Sequence, residues 1–209
     1  LNRAYYGVRP LNTKDGFPTN ALFGFVNILQ KNLAPGYDYA AIAYDLREKT
    51  FRHIRCDTYK ATRRPMPEDL AKQLPVSKEI AELMGLHVLT AAGFEADDIL
   101  GTLSRIAKEN DVECVIVTGD RDSYQLVCDG VTVHLAANNE TRIIDTKAID
   151  EMYGLTPSQL IDLKTVMGDS SDNISGVPGI GEKGALELMH QYGSLDGIYA
   201  HIDEIKGSK

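Results

Sequence analysis

Cys114-Val-Ile-Val-Thr118 is a short apolar run that is followed directly by Gly-Asp120-Arg-Asp122. A continuous apolar run of this length is typical of a strand buried in a parallel sheet. A second such run, Ala-Ala-Ile-Ala-Tyr at 40–44, ends in Asp45. Because open parallel sheets place their sites outside the carboxyl ends of the strands, both runs predict an acidic site at one edge of a sheet.

On both sides of these two runs, strand patterns alternate with helical patterns along the chain. Further strands are predicted at Val131–Leu135 and Arg142–Ile144. Helices are predicted at Thr19–Leu33, from Pro67 with an interruption at Pro75, at Val76–Met84, and at Asp97–Ala107, where apolar residues form one stripe. This alternation predicts an α/β fold with a mostly parallel central sheet flanked by helices.

The character of the sequence changes near residue 150, which predicts an α/β domain at 1–150 and a helical unit at 151–209. Thr156-Pro-Ser-Gln159 is a capping box, and Leu155 and Leu160 suit a hydrophobic staple, so a helix is predicted from Pro157 to Met167. A second helix is predicted at Glu182–Tyr192. The glycine-rich segment between them completes a helix-hairpin-helix pattern.

Composition excludes several classes of protein. The chain has 209 residues, 43% of them hydrophobic, with no apolar run long enough for a membrane helix and no signal peptide at its start. Three cysteines stand far apart, which favours reduced thiols in a cytoplasmic protein. The net charge is −8, but residues 46–66 carry seven basic and two acidic side chains. A local basic stretch beside acidic clusters suits phosphate and metal ions together.

Eight carboxylates carry the predicted chemistry, and they fall at strand ends and helix starts. Asp169 and Asp172 are expected to share one face of a helical turn. Any single cluster has an ordinary explanation as a helix cap or a turn. Together they would repel one another unless cations lay among them, and all-oxygen ligands select Mg²⁺, or Mn²⁺ in its place. Two or more such ions suit two-metal hydrolysis of a phosphodiester. The eight are Asp45, Glu95, Asp97, Asp98, Asp120, Asp122, Asp169 and Asp172.

Two further features suit a nucleic-acid substrate. Lys60 and Arg63 are candidates for contact with the scissile phosphate, and Tyr59 for stacking on an unpaired base, although a solvated basic loop is the usual explanation of such a run. The turn Gly179-Ile-Gly181 before a helix offers backbone N–H groups to a phosphate without reading sequence.

These motifs, in this order, resemble one known family. They are Phe51-Arg-His53, Tyr59-Lys-Ala-x-Arg63, Pro65-Met-Pro-Glu-Asp69, Gly93-Phe-Glu-Ala-Asp-Asp98, Thr118-Gly-Asp-Arg-Asp122, Gly168-Asp-x-x-Asp-Asn173 and Gly176-Val-x-Gly-Ile-Gly-x-Lys183. The chain looks like the 5′-nuclease domain of bacterial DNA polymerase I and its free-standing flap-endonuclease relatives. The resemblance covers essentially the whole chain.

The resemblance implies a PIN-like 5′-nuclease fold with a helical arch and a helix-three-turn-helix unit that grips duplex DNA. It implies a monomer in the bacterial cytoplasm, at the nucleoid, that acts on 5′-flap DNA and RNA-primed DNA as a 5′-to-3′ exonuclease and flap endonuclease. Asp45, Glu95 and Asp97 would serve the catalytic ion, and the other five carboxylates the remaining ions. Lys60 and Arg63 would be the basic catalytic pair. DNA would contact Tyr59, Arg64, Gly176, Gly179, Gly181 and Lys183.

One departure from the family pattern leaves alternatives open. In the family, a strand ending in Asp-Gly precedes the segment that begins here with Leu1, and this sequence lacks both the strand and that aspartate. We therefore expect the N-terminal strand to be missing. A non-catalytic, structure-specific DNA-binding module is the alternative function, and a phosphatase-like hydrolase using Asp120 and Asp122 is a weaker one.

Overall fold

The structure is a computed structural model that describes residues 1–136 and 141–205. Its helices are α1 (Asn2–Gly7), α2 (Asn20–Leu33), α3 (Phe51–Arg55), α4 (Glu68–Leu83), α5 (Ala96–Glu109), α6 (Thr146–Tyr153), α7 (Gln159–Met167), α8 (Glu182–Tyr192) and α9 (Leu195–Ala200). Its strands are β1 (Ala41–Ala43), β2 (His87–Leu89), β3 (Cys114–Thr118), β4 (Val131–Ala136), β5 (Thr141–Ile144), β6 (Gly168–Asp169) and β7 (Ile174–Ser175). Short 3₁₀ helices lie at Arg121–Leu126 and Ile202–Glu204.

The residues group into two compact units. The first contains Leu1–Thr50 and Arg64–Leu100, and the second contains Phe51–Arg63, Gly101–Leu135 and the described residues from Arg142 onward. Helix α5 begins in the first unit and ends in the second. Among the described residues, no helix is long and apolar enough to cross a membrane.

In the first unit, β1 and β2 form a parallel pair with Ile42 opposite Val88. Phe25 of α2, Tyr44 after β1 and Ala81 of α4 are buried together with Leu86 as its core. The carboxyl end of β1 therefore leads directly from this core to Asp45. The predicted helix at Thr19–Leu33 is confirmed, with Thr19 as its N-cap.

Pro75 does not interrupt a helix, as the sequence suggested. Helix α4 is continuous from Glu68 to Leu83 with Pro75 inside it. Gln73 and Ser77, on either side of the proline, are fully buried, and Ser77 Oγ donates to the carbonyl of Leu74 at 2.7 Å. Burial of the same face on both sides keeps the helix in line, although the proline removes one backbone hydrogen bond.

In the second unit, the sheet has the strand order β3-β4-β5, and β3 and β4 run parallel with Ile116 opposite Val133. The prediction of an α/β fold with parallel strands is confirmed. Helices α7 and α8 pack together, with the antiparallel pair β6–β7 and a glycine-rich loop between them, so the helix-hairpin-helix pattern is confirmed as well.

The start of α7 shows one half of the predicted capping box. Gln159 Oε1 accepts a hydrogen bond from the backbone N–H of Thr156 at 2.8 Å, and the regular helix begins at Gln159 rather than at Pro157. Leu155 and Leu160 are both buried, as a staple requires.

Candidate active site

The first acidic group consists of Asp45, which follows β1, and of Glu95, Asp97 and Asp98 at the start of α5. Asp45 is exposed, and its Oδ1 accepts a hydrogen bond from the backbone N–H of Ala96 at 2.8 Å. Ala96 is the first residue of α5, so this contact fixes the carboxylate against the helix start. The partial positive charge of a helix N-terminus stabilises a carboxylate at this position.

Three more carboxylates lie at the same helix start. Glu95 is buried, with 9% of its surface exposed, whereas Asp97 is exposed. Asp98 Oδ2 accepts from the backbone N–H of Glu95 at 2.9 Å, which is the return contact of a capping box. Capping therefore accounts for one oxygen of Asp98, and a role for this residue as a metal ligand stays a prediction.

The second acidic group consists of Asp120 and Asp122, which follow β3, and of Asp169 and Asp172, which lie in the hairpin β6–β7. Asp120 Oδ1 accepts from the backbone N–H of Asp122 at 2.9 Å and caps the 3₁₀ helix that follows. Thr118 Oγ1 accepts from the N–H of Asp120 at 3.0 Å. The last residue of the strand and the cap therefore hold Asp120 and Asp122 in one tight turn.

Asp169 and Asp172 do not lie on a helical turn, and that prediction was wrong. Gly168 has a φ of 78° and ends α7, so the chain enters the hairpin β6–β7 with Asp169 in its first strand. Asp169 Oδ1 accepts from the N–H of Ser171 at 2.8 Å and from its hydroxyl at 2.6 Å. The two aspartates still belong to one short loop, because a turn closed by the Asp169 side chain replaces the helix.

Lys164 is a residue of this site that sequence reasoning missed. Its Nζ lies 2.8 Å from Asp122 Oδ1 and 2.7 Å from Asp169 Oδ2, so one cation joins the two halves of the second group. Partial burial alone would lower the pKa of Lys164, but its hydrogen bonds to both carboxylates raise it above the ordinary value. Its place in the last turn of the helix that leads to Asp169 was the available signal.

The same contacts act on the Asp169 carboxyl group. Burial would raise the pKa of Asp169, but hydrogen bonds from Lys164 and Ser171 lower it to about 2. Asp169 is therefore ionised at neutral pH, as a ligand for a hard cation must be.

The predicted basic pair contacts the second group. Arg63 forms an ion pair with Asp172, and its Nε donates to the carbonyl of Ser171 at 3.3 Å. Lys60 Nζ lies 3.9 Å from Asp172 Oδ2, and the Lys60 side chain is only 17% exposed. Both side chains thus contact the hairpin, with Lys60 mostly buried and Arg63 half exposed.

Tyr59 lies deeper than its predicted role suggests. It is 6% exposed, its ring meets the edge of His53 with centroids 5.1 Å apart, and Lys60 Nζ lies 4.9 Å from its centre. Base stacking by Tyr59 stays a prediction, while its packing gives it a second task as a support for Lys60. Arg64 is exposed, as a DNA contact requires.

The glycines of the hairpin have different reasons to be glycine. A Cβ on Gly176 would lie 2.3 Å from the backbone of Gly168, so internal packing excludes a side chain there. Gly179 has a φ of 83°, which favours glycine by itself. Gly181, the N-cap of α8, has an ordinary φ of −93° and open space around it, and Lys183 is exposed two residues on. Gly181 is therefore the position where only an outside ligand would require glycine.

The donor set suits a hard divalent cation. Both acidic groups consist of carboxylate oxygens, and the Lys164 ammonium group shows that one cation can contact Asp122 and Asp169 at once. Within residues 1–136 and 141–205, no three Asp, Glu, His or Cys side chains are already arranged around a common ion position. The ligand roles of the eight carboxylates therefore stay predictions.

Carboxylates at two strand ends, a basic pair in contact with the loop of the hairpin β6–β7 and a glycine-rich turn before α8 form a pattern typical of a nuclease. Residues 1–154 match the family profile described as the 5′-3′ exonuclease N-terminal resolvase-like domain. Residues 155–209 match the 5′-3′ exonuclease C-terminal SAM fold. The chain belongs to the 5′-3′ exonuclease family and contains both of its domains.

Curated relatives of similar sequence are DNA polymerases I. The chain is 39% identical to DNA polymerase I of Caldicellulosiruptor bescii over 213 residues, covering 100% of the chain and 25% of the relative. It is 41% identical to DNA polymerase I of Bacillus caldotenax, covering 99% of the chain and 24% of the relative. The chain thus spans about a quarter of the length of the curated relatives it matches.

Solved structures share the fold. T5 5′-exonuclease with bound zinc superposes with a TM-score of 0.74 at 22% identity, covering 90% of this chain and 72% of that one. A variant of the bacteriophage T5 flap endonuclease, in a pseudo-enzyme-product complex with DNA and metal ions, gives a TM-score of 0.72 at 21% identity. It covers 90% of this chain and 72% of that one.

Proposed function

We propose that this protein hydrolyses phosphodiester bonds at 5′ ends and 5′ flaps of branched DNA, with divalent metal ions, and so removes flaps and RNA primers. The observation that carries the proposal is the contact of Lys60 and Arg63 with an acidic group suited to hard cations. Hydrolysis of a phosphodiester needs both the basic side chains and the metal-binding carboxylates. Cations orient its anionic oxygens, and carboxylate-bound metal ions supply the charge that activates water and stabilises the leaving oxygen.

Each acidic group is assigned a metal ion of its own. Asp45, Glu95 and Asp97 hold the catalytic ion in the first unit. In the second unit, Asp120, Asp122, Asp169 and Asp172 hold a further ion. Mg²⁺ is the expected cofactor and Mn²⁺ its substitute, because carboxylate oxygens favour both. The metal-bound T5 relatives support a divalent ion.

The chain's own residues orient the substrate. Lys60 and Arg63 contact the scissile phosphate, where positive charge stabilises the developing transition state. Gly179, Gly181 and the nearby Lys183 hold the duplex by its phosphates, which positions the DNA without reading its sequence. Gly176 supports the hairpin from within because its close approach to Gly168 leaves no room for a side chain.

We infer a monomer that works in the bacterial cytoplasm, at the nucleoid, on flapped and RNA-primed DNA. The identity to DNA polymerases I supports a chain that carries this nuclease as the N-terminal domain of such an enzyme.

A labelled 5′-flap substrate tests the proposed function. The protein is expected to release a short labelled product in Mg²⁺ and none in EDTA, and to leave a blunt duplex with a blocked 5′ end uncut. Binding of the flap without cleavage in Mg²⁺ or Mn²⁺ would instead make the chain a non-catalytic, structure-specific DNA-binding module. Hydrolysis of a simple phosphate monoester without DNA cleavage would point to a phosphatase-like hydrolase.

A further inference from the structure

Three non-glycine residues in the described part of the second unit have left-handed backbones: Lys60, Asp111 and Asn173, with φ of 55°, 54° and 56°. Lys60 and Asn173 belong to segments that contact each other. Asparagine adopts this conformation readily because its short polar side chain bonds locally. A lysine does so at a steric cost, since its Cβ crowds a carbonyl oxygen. Such strain persists only where the surroundings hold the residue in place.

Lys60 takes this conformation inside a tight turn. The N–H of Ala61 donates to the carbonyl of Thr58 at 3.1 Å, so Lys60 is the third residue of a four-residue turn. A positive φ at the third position is usual for glycine or asparagine in a type II turn. The chain places a lysine there, and the turn therefore needs support from elsewhere in the unit.

The support comes from the loop of the hairpin β6–β7. The backbone N–H of Lys60 donates to the carbonyl of Asp172 at 2.8 Å. In the opposite direction, Asn173 Nδ2 donates to the carbonyl of Thr58 at 2.7 Å. Two hydrogen bonds, one at the Thr58 carbonyl and one at the Lys60 N–H, thus clamp the 58–61 turn against the loop of the hairpin.

The clamp has a consequence for the Lys60 side chain. Its ammonium group lies over the Tyr59 ring and 3.9 Å from Asp172, so the direction of the side chain depends on the turn that carries it. A displacement of about 1 Å at a reacting centre lowers a rate by up to ~100-fold. A small relaxation of the turn would therefore affect chemistry more than it affects binding.

We propose that Asn173 is a positioning residue, whose side-chain amide holds the 58–61 turn so that Lys60 faces the substrate phosphate. The proposal rests on the proposed function, in which Lys60 contacts that phosphate. Asn173 itself touches no substrate.

Two variants separate the amide from the backbone. Asn173→Gly keeps the positive φ and removes the amide, and Asn173→Asp keeps the shape but places an acceptor against the Thr58 carbonyl. Both are expected to slow single-turnover flap cleavage by about 10-fold to 100-fold, with little change in DNA affinity. Ser170→Ala, an exposed side chain in the same loop, is the matched control and should cleave at the wild-type rate.

A double-mutant cycle shows whether Asn173 acts through Lys60. In a Lys60→Ala background, Asn173→Gly should cause no further loss of rate, since the group it positions is gone. Losses that multiply in the double variant, or an unchanged rate in folded Asn173→Gly, would overturn the proposal.

A second readout needs no catalysis. Without DNA, trypsin should cut after Lys60 and Arg63 faster in Asn173→Gly than in the wild type or Ser170→Ala, as mass spectrometry of the fragments would record. Equal rates of cutting would overturn the clamp even if the wild type proved inactive. A wild type that cuts no DNA, with the proteolysis difference present, would instead remove the proposed function and leave the clamp standing.

Discussion

Backbone N–H groups hold carboxylates in both acidic groups, and in the second group two side-chain cations contact the carboxylates as well. In the first unit, Asp45 and Asp98 accept hydrogen bonds from neutral backbone N–H groups at the start of α5. In the second unit, Lys164 joins Asp122 to Asp169, and Arg63 pairs with Asp172. A backbone donor leaves the charge of the carboxylate that it contacts in place, whereas a side-chain cation offsets that charge. A divalent ion entering the second group must therefore displace an ammonium or guanidinium group.

The difference has a practical meaning for substitutions. Removing a carboxylate from the first group deletes a negative charge next to a helix start, and the helix keeps its other caps. Removing Asp122, Asp169 or Asp172 from the second group takes away one contact of Lys164 or Arg63, so stability and metal affinity change together.

Asp45→Asn should have the largest effect on activity. The new amide oxygen can still accept from Ala96, so the fold is kept while one charge is lost. We expect flap cleavage to slow on the order of a thousandfold, because a bound divalent ion is worth several kcal/mol. Asp38→Asn, at the opposite end of β1 and exposed, is the control and should retain the wild-type rate. A wild-type rate in Asp45→Asn would remove this residue from the site.

Lys60→Ala should lower turnover far more than DNA affinity. A contact that strengthens as charge develops on the phosphate acts on the transition state, and losing one such donor costs about 100-fold. Single-turnover rates and binding constants on one flap substrate measure the two effects separately, with the exposed Lys49→Ala as the control. An equal loss in rate and affinity would make Lys60 only a tether.

The sequence alone predicts the position of some residues of the acidic groups but not of others. Asp45 and Asp120 were predictable because an apolar run that ends in aspartate marks a strand end by itself. Lys164 was missed because its place in the last turn of α7 does not by itself reveal that Asp122 and Asp169 meet it once α7 has packed. The hairpin at Asp169–Asp172 was predicted as a helical turn because spacing alone does not reveal that Gly168 leaves the helix with a positive φ.

Lys164→Met should change the response to metal. Without the ammonium group, the negative charges of Asp122 and Asp169 face each other uncompensated. We expect the free energy of unfolding in EDTA to fall by only about 1 kcal/mol, because the Lys164 side chain is 41% exposed and solvent screens its charge. Mg²⁺ should recover this loss, since it binds the folded state. Thermal unfolding with and without Mg²⁺ measures both. A loss that Mg²⁺ does not reduce would show that Lys164 does not occupy a cation site.

Gly181→Ala should have the smallest effect and leave the fold unchanged. The residue has an ordinary backbone and open space, so alanine fits the free protein, but its methyl group would keep a phosphate away from the start of α8. We expect weaker binding to two unrelated flap sequences alike, measured in Ca²⁺, with less change in saturated cleavage in Mg²⁺. The loss should shrink at high salt, where counterion release already weakens binding.

Two further substitutions serve as comparisons, one with a larger side chain at Gly181 and one at Gly176. Gly181→Val should weaken binding further, whereas Gly176→Ala should destabilise the protein itself because its Cβ meets the Gly168 backbone. Unchanged affinity in a folded Gly181→Val variant would reduce this part of the hairpin to a structural turn.

Electron paramagnetic resonance of Mn²⁺, without DNA, counts the bound ions and so tests whether each acidic group binds an ion of its own. The wild type should bind at least one ion per group. Asp45→Asn should lose the ion of the first group and keep that of the second, Asp169→Asn should do the reverse, and Lys164→Met should tighten only the second. Wild-type Mn²⁺ binding in both aspartate variants would contradict the account.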